Sequence, residues 1–246
     1  MDVDEGPRVA IVTGGSSGIG LACGRILHDR GYDVVLTARR EGPLREAAEP
    51  LGARWVAADS ADEDGFASVV SAAGHVDLLV HAAGMMAGTF VRKESAARFD
   101  AVLRTNLRSA FVASAAVLPA MSPGGRIVFV SSSSAHAPQP GKAAYSASKA
   151  GLNAFAGALA REVDRDGIAV HVVSTGPVAT PMLDDVHFPM FALAAEDVAG
   201  VIAWLDQLPA DVVLPEVALG SVERGPFAPA PFVPEAARAL GRTDLP

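Results

Sequence analysis

Tyr145 and Lys149 lie four residues apart in a stretch of helical period, so they share one helix face, one turn apart. A phenol titrates at about 10 and is a weak acid–base catalyst at neutral pH. An ammonium beside it favours the phenolate and lowers that pKa. Tyr145 could then protonate a carbonyl oxygen during reduction, or take up a hydroxyl proton in the reverse direction. The plainer reading is a partly buried tyrosine beside a surface lysine, since the spacing is common. Against it, Tyr145 is one of only two tyrosines in the chain and follows the serine run Ser131–Ser134 by a short loop. A serine hydroxyl at the end of a strand can hydrogen-bond a substrate oxygen and support charge developing there, although four serines also suit a polar turn. Asn106 sits inside an otherwise apolar helical stretch, where asparagine is unfavourable. A bound water, a polar contact in the site or a satisfied structural asparagine would each account for it.

A second group suits phosphate. Thr13-Gly14-Gly15-Ser16-Ser17-Gly18-Ile19-Gly20 follows an apolar run and opens into a helical pattern. Glycines let a phosphate approach the backbone, and the following helix offers its N–H groups and positive end. Strand before, helix after, this is a dinucleotide-binding turn. At the end of the second apolar run, Ala38 occupies the position where an NAD-selective site carries a carboxylate, and Arg39 follows. An arginine there pairs with the extra phosphate of NADP, so NADP(H) is expected over NAD(H); Arg39 and Arg40 as solvated loop charges is the bland alternative. Asp59, closing the third run, is placed to accept from an adenine amino group or to cap the next helix.

These groups need a scaffold. Strands are expected at Val9–Thr13, Asp33–Ala38, Arg54–Asp59, Val76–Ala82, Arg126–Ser131, Ile168–Ser174 and Glu216–Val222. Most are continuous apolar runs, as in parallel strands covered on both faces. Helices are expected near Gly18–Arg30, Pro43–Leu51, Asp62–Ala73, Ala96–Met121, Ala143–Arg165 and Ala195–Gln207. The alternation implies an α/β fold, a doubly wound parallel sheet of about seven strands with helices on both faces. Residues 1–224 read as one domain and 225–246 as an irregular proline-rich extension around FAPAPFVP.

Half of the 246 residues are apolar, enough for a sizeable core. The net charge of −8 argues against a nucleic-acid binder. The single cysteine, Cys23, excludes an internal disulfide and a cysteine metal cluster, and its apolar helical setting reads as core. The six histidines are scattered without an acidic cluster, so no metal is expected. The acidic start MDVDEGPR is no signal peptide, and Ser109–Gly125, interrupted by Pro119, is a buried helix and turn, not a membrane span. A soluble, cytoplasmic protein is expected.

Together these residues resemble the short-chain dehydrogenase/reductase family, over about Val9 to Val222. Thr13–Gly20 is similar to its TGxxxGIG motif, Asn106-Leu107 to its asparagine site, Ile127–Ser132 to its serine strand and Tyr145–Lys149 to its YxxxK. The family's thirteen-residue spacing selects Ser132 from the serine run. The resemblance implies a Rossmann-like fold and an oxidoreductase. Tyr145 would be proton donor and acceptor, and Lys149 would lower its pKa and bind the nicotinamide ribose. Ser132 would orient the substrate oxygen, and Asn106 would hold a relay water. Cofactor contacts would come from Gly14, Ser16, Ser17, Gly18, Ile19, Gly20, Arg39, Asp59, Ala83, Gly84, Gly176, Val178 and Thr180. A homotetramer pairing through the long helices is also implied. Two departures stand out: the family's NNAG is His81-Ala82-Ala83-Gly84, which removes two asparagine side chains, and its proline-glycine is Thr175-Gly176.

The segment after Thr180 would cover the substrate. With Met182, His187 and Phe188 there, and Met85, Ser133 and His136 around it, a mainly apolar pocket for a ketone or secondary alcohol is expected, though such residues are as often core or surface. A carbonyl reductase running in reverse as an alcohol dehydrogenase is the leading reading. The rival is a catalytically silent dinucleotide-binding regulator on the same fold. A larger sugar-nucleotide epimerase or dehydratase would need a second domain for which there is no room.

Overall fold

The computed structural model describes residues 6–183 and 192–221. Among these residues seven parallel strands form one sheet: β1 (Val9–Thr13), β2 (Asp33–Ala38), β3 (Arg54–Ala57), β4 (Val76–His81), β5 (Met121–Ser132), β6 (Ala169–Thr175) and β7 (Glu216–Leu219). Their order is β3-β2-β1-β4-β5-β6-β7, the doubly wound arrangement expected from the alternation. The order reverses between β1 and β4, and sheets of this kind bind ligands outside the carboxyl ends of the strands at such a point.

Among the described residues seven helices flank the sheet: α1 (Gly18–Asp29), α2 (Glu41–Ala48), α3 (Glu63–Ala73), α4 (Ala96–Leu103), α5 (Ser109–Val117), α6 (Ala143–Val163) and α7 (Ala195–Leu205). Successive strand residues point to opposite faces. Ile11, Leu79 and Phe129 therefore pack with Phe66, Val117 and Leu152 of α3, α5 and α6. Val12, Val80 and Val128 pack with Leu27, Leu44 and Ile202 of α1, α2 and α7 on the other side. Two buried faces explain the unbroken apolar runs, and each large side chain so buried contributes roughly 1.5–3 kcal/mol. Cys23 belongs to the second layer, where burial pushes its thiol up to about 12.

Some boundaries differ. β5 starts at Met121, which bridges Val76 ahead of a register shift before Leu78. α2 starts at Glu41 and gives way after Ala48 to a 3-10 turn containing Pro50, whose missing N–H cannot extend the helical ladder. The single helix expected over Ala96–Met121 is broken by a π-helical turn at Arg104–Arg108 and ends in a 3-10 turn at Pro119. Val222 and the segment 225–246 lie outside the described residues. Among the described residues no helix is long and apolar enough to cross a membrane.

Candidate active site

A cleft of about 650 Å³ opens beyond the carboxyl ends of the strands. At one end the turn between β1 and α1 supplies Gly14, Ser16, Ser17, Gly18, Ile19 and Gly20 to its wall. Gly20 is required sterically: a Cβ there would stand 2.4 Å from the Gly14 carbonyl oxygen. Only a hydrogen lets the helix begin this close to the turn. α1 has no side-chain cap on its N-terminus and no acid in its first turn, so its N–H groups and positive end remain available to an anion. Gly18 backs onto Thr180, whose Cγ2 lies 3.0 Å from where a Cβ would be. Thr180 in turn follows a segment pinned to Leu193 by two backbone hydrogen bonds, 2.8 Å from the Ala179 N–H and 2.9 Å to the Pro177 carbonyl. This end fits a pyrophosphate.

Further along, the exposed Arg39 and Arg40 line the cleft with Asp59. Among the described residues Arg39 makes no hydrogen bond or ion pair, although its charge acts on Asp59. Asp59 does not cap α3. That task falls to Asp62, which accepts from the Gly65 N–H at 2.8 Å. Asp59 instead accepts from the Ala61 N–H at 3.0 Å and pairs with Arg104 at 2.5 Å. Burial works against its ionisation, but these hydrogen bonds and the charges of Arg104 and Arg39 hold its carboxyl below the ordinary value.

Ser132, Tyr145 and Lys149 meet on the cleft wall. Ser132 ends β5 and accepts the Ser134 N–H at 3.2 Å, which leaves its hydroxyl proton for the phenol oxygen of Tyr145. Lys149 donates to the Val130 carbonyl at 2.8 Å, with its ammonium 5.9 Å from the centre of the Tyr145 ring. Burial pushes the lysine pKa down to about 8. The tyrosine departs from expectation. Burial raises its pKa, the hydrogen bond from Ser132 opposes that, and the net shift is upward. Lys149 is not among the groups that lower it here, its hydrogen bond being directed to Val130 instead.

Asn106 stands in the π-helical turn, fully buried, and joins three elements. Its Oδ1 accepts the Met85 N–H at 2.8 Å, while Nδ2 donates to the Met85 carbonyl at 3.0 Å and to Ser148 Oγ at 2.9 Å. Both amide hydrogens thus go to protein partners rather than to the expected water. Such local π turns recur at functional sites, and this one aims Asn106 at α6 and at the loop after β4 together.

His81 restores hydrogen bonding that the loss of the family's asparagines removes. Ser109 Oγ donates to the Thr105 carbonyl at 2.6 Å, so it accepts from His81 Nε2 at 3.0 Å. Thr13 Oγ1 accepts the Ala83 N–H at 3.0 Å and therefore donates to His81 Nδ1 at 3.1 Å. The chain fixes one neutral tautomer. Burial and then the Lys149 charge push the imidazole down to about 3.

Ala83, Gly84, Gly176 and Val178 also line the cleft, as do Met85, Ser133 and Met182. His136 does not. Its ring is drawn to Glu216 at 2.6 Å, beside Asn153. His187 and Phe188 lie outside the described residues. Among the wall residues that escaped the sequence reading are Gln139 and Lys142. The signal for them was the Pro140-Gly141 turn directly ahead of α6. Among the described residues no group of three or more His, Cys, Asp or Glu is arranged to hold a metal ion.

The family model for short chain dehydrogenase matches residues 8–188. The chain belongs to the short-chain dehydrogenase/reductase family. It is 37% identical over 222 residues to the acetoacetyl-CoA reductase of Cupriavidus necator, covering 80% of this chain and 90% of that protein. It is 34% identical over 210 residues to the cyclic-di-GMP-binding biofilm dispersal mediator protein of Escherichia coli, covering 80% and 89%. Among solved structures it is similar to BdcA in complex with NADPH, with a TM-score of 0.79 and 30% identity over 86% of this chain and 93% of that one.

Proposed function

We propose that this protein is an NADP(H)-dependent carbonyl reductase, working in reverse as a secondary-alcohol dehydrogenase. The observation that carries the reading is the Ser132–Tyr145–Lys149 group, buried on the wall of the same cleft as the phosphate turn. The cofactor would be held by the backbone of Gly14 to Gly20 at its pyrophosphate, by Arg39 at the 2′-phosphate and by Asp59 at the adenine. Ala83, Gly84, Tyr145 and Lys149 would hold the nicotinamide ribose, and Gly176, Val178 and Thr180 the carboxamide. When bound, it supplies or accepts the hydride.

The protein's own residues handle the proton. Ser132 holds the substrate oxygen, and Tyr145 delivers a proton to it in reduction or removes one in oxidation. The phenol is protonated at neutral pH, the form that reduction requires. Lys149 binds ribose hydroxyls and passes protons inward. A Cβ on Gly84 would stand 3.4 Å from Asn106 Oδ1 and 3.7 Å from Lys149 Nζ. The relay water would lie beside Gly84 between these two groups, with the remaining lone pair of Asn106 Oδ1 as acceptor. Met85, Met86 and Met182 give the pocket apolar walls. The acetoacetyl-CoA reductase relative supports a ketone as the substrate.

A second reading, the silent dinucleotide-binding regulator, draws support from the biofilm dispersal relative. Such a protein has no use for an assembled serine, tyrosine and desolvated lysine. A panel of ketones with NADPH and NADH, followed by cofactor absorbance, separates the two: turnover supports the reductase, and cofactor binding without turnover of any ketone supports the regulator. A homotetramer pairing through α4, α5 and α6 and a cytoplasmic site of action belong to the same proposal. Phe111 on α5, 53% exposed and edge-on to Phe155, gives that pairing an apolar contact.

A further inference from the structure

Lys142 is a cation on the cleft wall. Gln139-Pro140-Gly141-Lys142 forms a tight turn closed by the Lys142 N–H on the Gln139 carbonyl at 3.1 Å. Proline at its second position and Gly141 at φ 77° at its third give it type II character. The turn leads directly into α6 and leans on the loop after β4, where a Cβ on Gly88 would meet the Gly141 carbonyl oxygen at 2.8 Å. Lys142 is therefore held as the N-cap of the 21-residue α6, three residues before Tyr145.

Its side chain is half-buried and lines the cleft, as do Gln139, Met182 and Tyr145. Among the described residues its ammonium has neither a carboxylate partner nor a hydrogen bond. The one acid on the described cleft wall, Asp59, lies at the adenosine end and is paired with Arg104. Desolvating an unpaired ammonium is unfavourable, and burial lowers the pKa of this one. The positive end of α6 adds to its field. A bound anion would relieve both.

We propose that Lys142 is the specificity-determining residue that receives a carboxylate of the substrate, so that the preferred substrate is an oxo acid and not a neutral ketone. This rests on the reductase reading of the site. Lys142 and Tyr145 line the same cleft from the start of α6, three residues apart in the chain. The carboxylate therefore lies within a few bonds of the carbonyl that Tyr145 protonates, as in a 2-oxo or 3-oxo acid.

The test pairs benzoylformate and acetoacetate each with its methyl ester, in the wild type, Lys142→Gln and Lys142→Arg, with NADPH as reductant. A charge-assisted hydrogen bond is worth about 1.5–3 kcal/mol, or about 10- to 100-fold in rate. The acid-to-ester ratio of kcat/KM should fall by that factor in Lys142→Gln and recover in Lys142→Arg for at least one pair. A ratio the same in wild type and Lys142→Gln for both pairs overturns the proposal. If wild type turns over none of the four compounds but reduces another ketone of the panel, the oxo-acid proposal fails; if it reduces no ketone at all, the reductase reading fails instead. Calorimetric binding of benzoylformate then decides the Lys142 claim: weaker binding to Lys142→Gln supports it, and equal binding sinks it.

Discussion

Lys149 donates its hydrogen bond to the Val130 carbonyl at 2.8 Å while its ammonium stands 5.9 Å from the ring centre of Tyr145. The lysine is thus anchored to the sheet and poised beside the phenol, and burial lowers its pKa to about 8. In the proposed chemistry its charged form binds the ribose hydroxyls. That form is lost as pH rises through the lowered pKa. The kcat/KM for NADPH, which reports the free enzyme, should be flat below pH 8 and fall by about tenfold per unit above it. Lys149→Arg stays charged and should lack the break. A wild-type profile level to pH 10 would contradict this assignment.

His81 makes the fold sensitive to acid. Its folded pKa is about 3 against an ordinary 6.5. Between these values the unfolded chain takes up a proton that the folded one refuses, so stability is lost as pH falls. At about 1.4 kcal/mol per unit, up to about 2 kcal/mol disappears between pH 6.5 and 5. His81→Asn should lose that contribution. The denaturant stabilities of wild type and variant should therefore converge or cross as the pH is lowered over this interval, and a constant difference would refute the buried neutral imidazole.

Gly84→Ala tests the proton relay. The added methyl makes only ordinary contacts with Asn106 and Lys149, so the protein should fold with a melting temperature near that of wild type. It should also fill the space assigned to the relay water. At saturating cofactor kcat should drop by about tenfold or more, within the range for an impaired proton transfer. Full kcat would remove the relay.

Arg39 is the test of cofactor choice. Removing one charge-assisted contact worth about 1.5–3 kcal/mol in Arg39→Ser should lower the NADPH-to-NADH ratio of kcat/KM by about 10- to 100-fold. An unchanged ratio, or a wild type faster with NADH, would overturn NADP selectivity.

Much of this was legible because it is local. The turn from Thr13 to Gly20 and the pair Tyr145/Lys149 declare themselves by spacing along one strand end or one helix face. What was missed depends on contacts across the fold. Helical periodicity carries no trace of the π turn that directs Asn106 to Met85 and Ser148. His81 reads as a lost asparagine until Thr13 and Ser109 are seen on either side of it. His136 looked like a pocket residue, but Glu216, eighty positions away, draws it aside. The upward shift of Tyr145 came from burial, which a motif does not encode.

The most direct measurement is turnover by Tyr145→Phe alongside NADPH binding followed by its fluorescence. The variant keeps the ring that packs under Lys149 and loses only the hydroxyl that Ser132 contacts. Binding within a few-fold of wild type, with kcat reduced by about 10²- to 10⁴-fold as expected for loss of a general acid, is the predicted result. Ketone reduction by this variant at the wild-type rate would contradict the account.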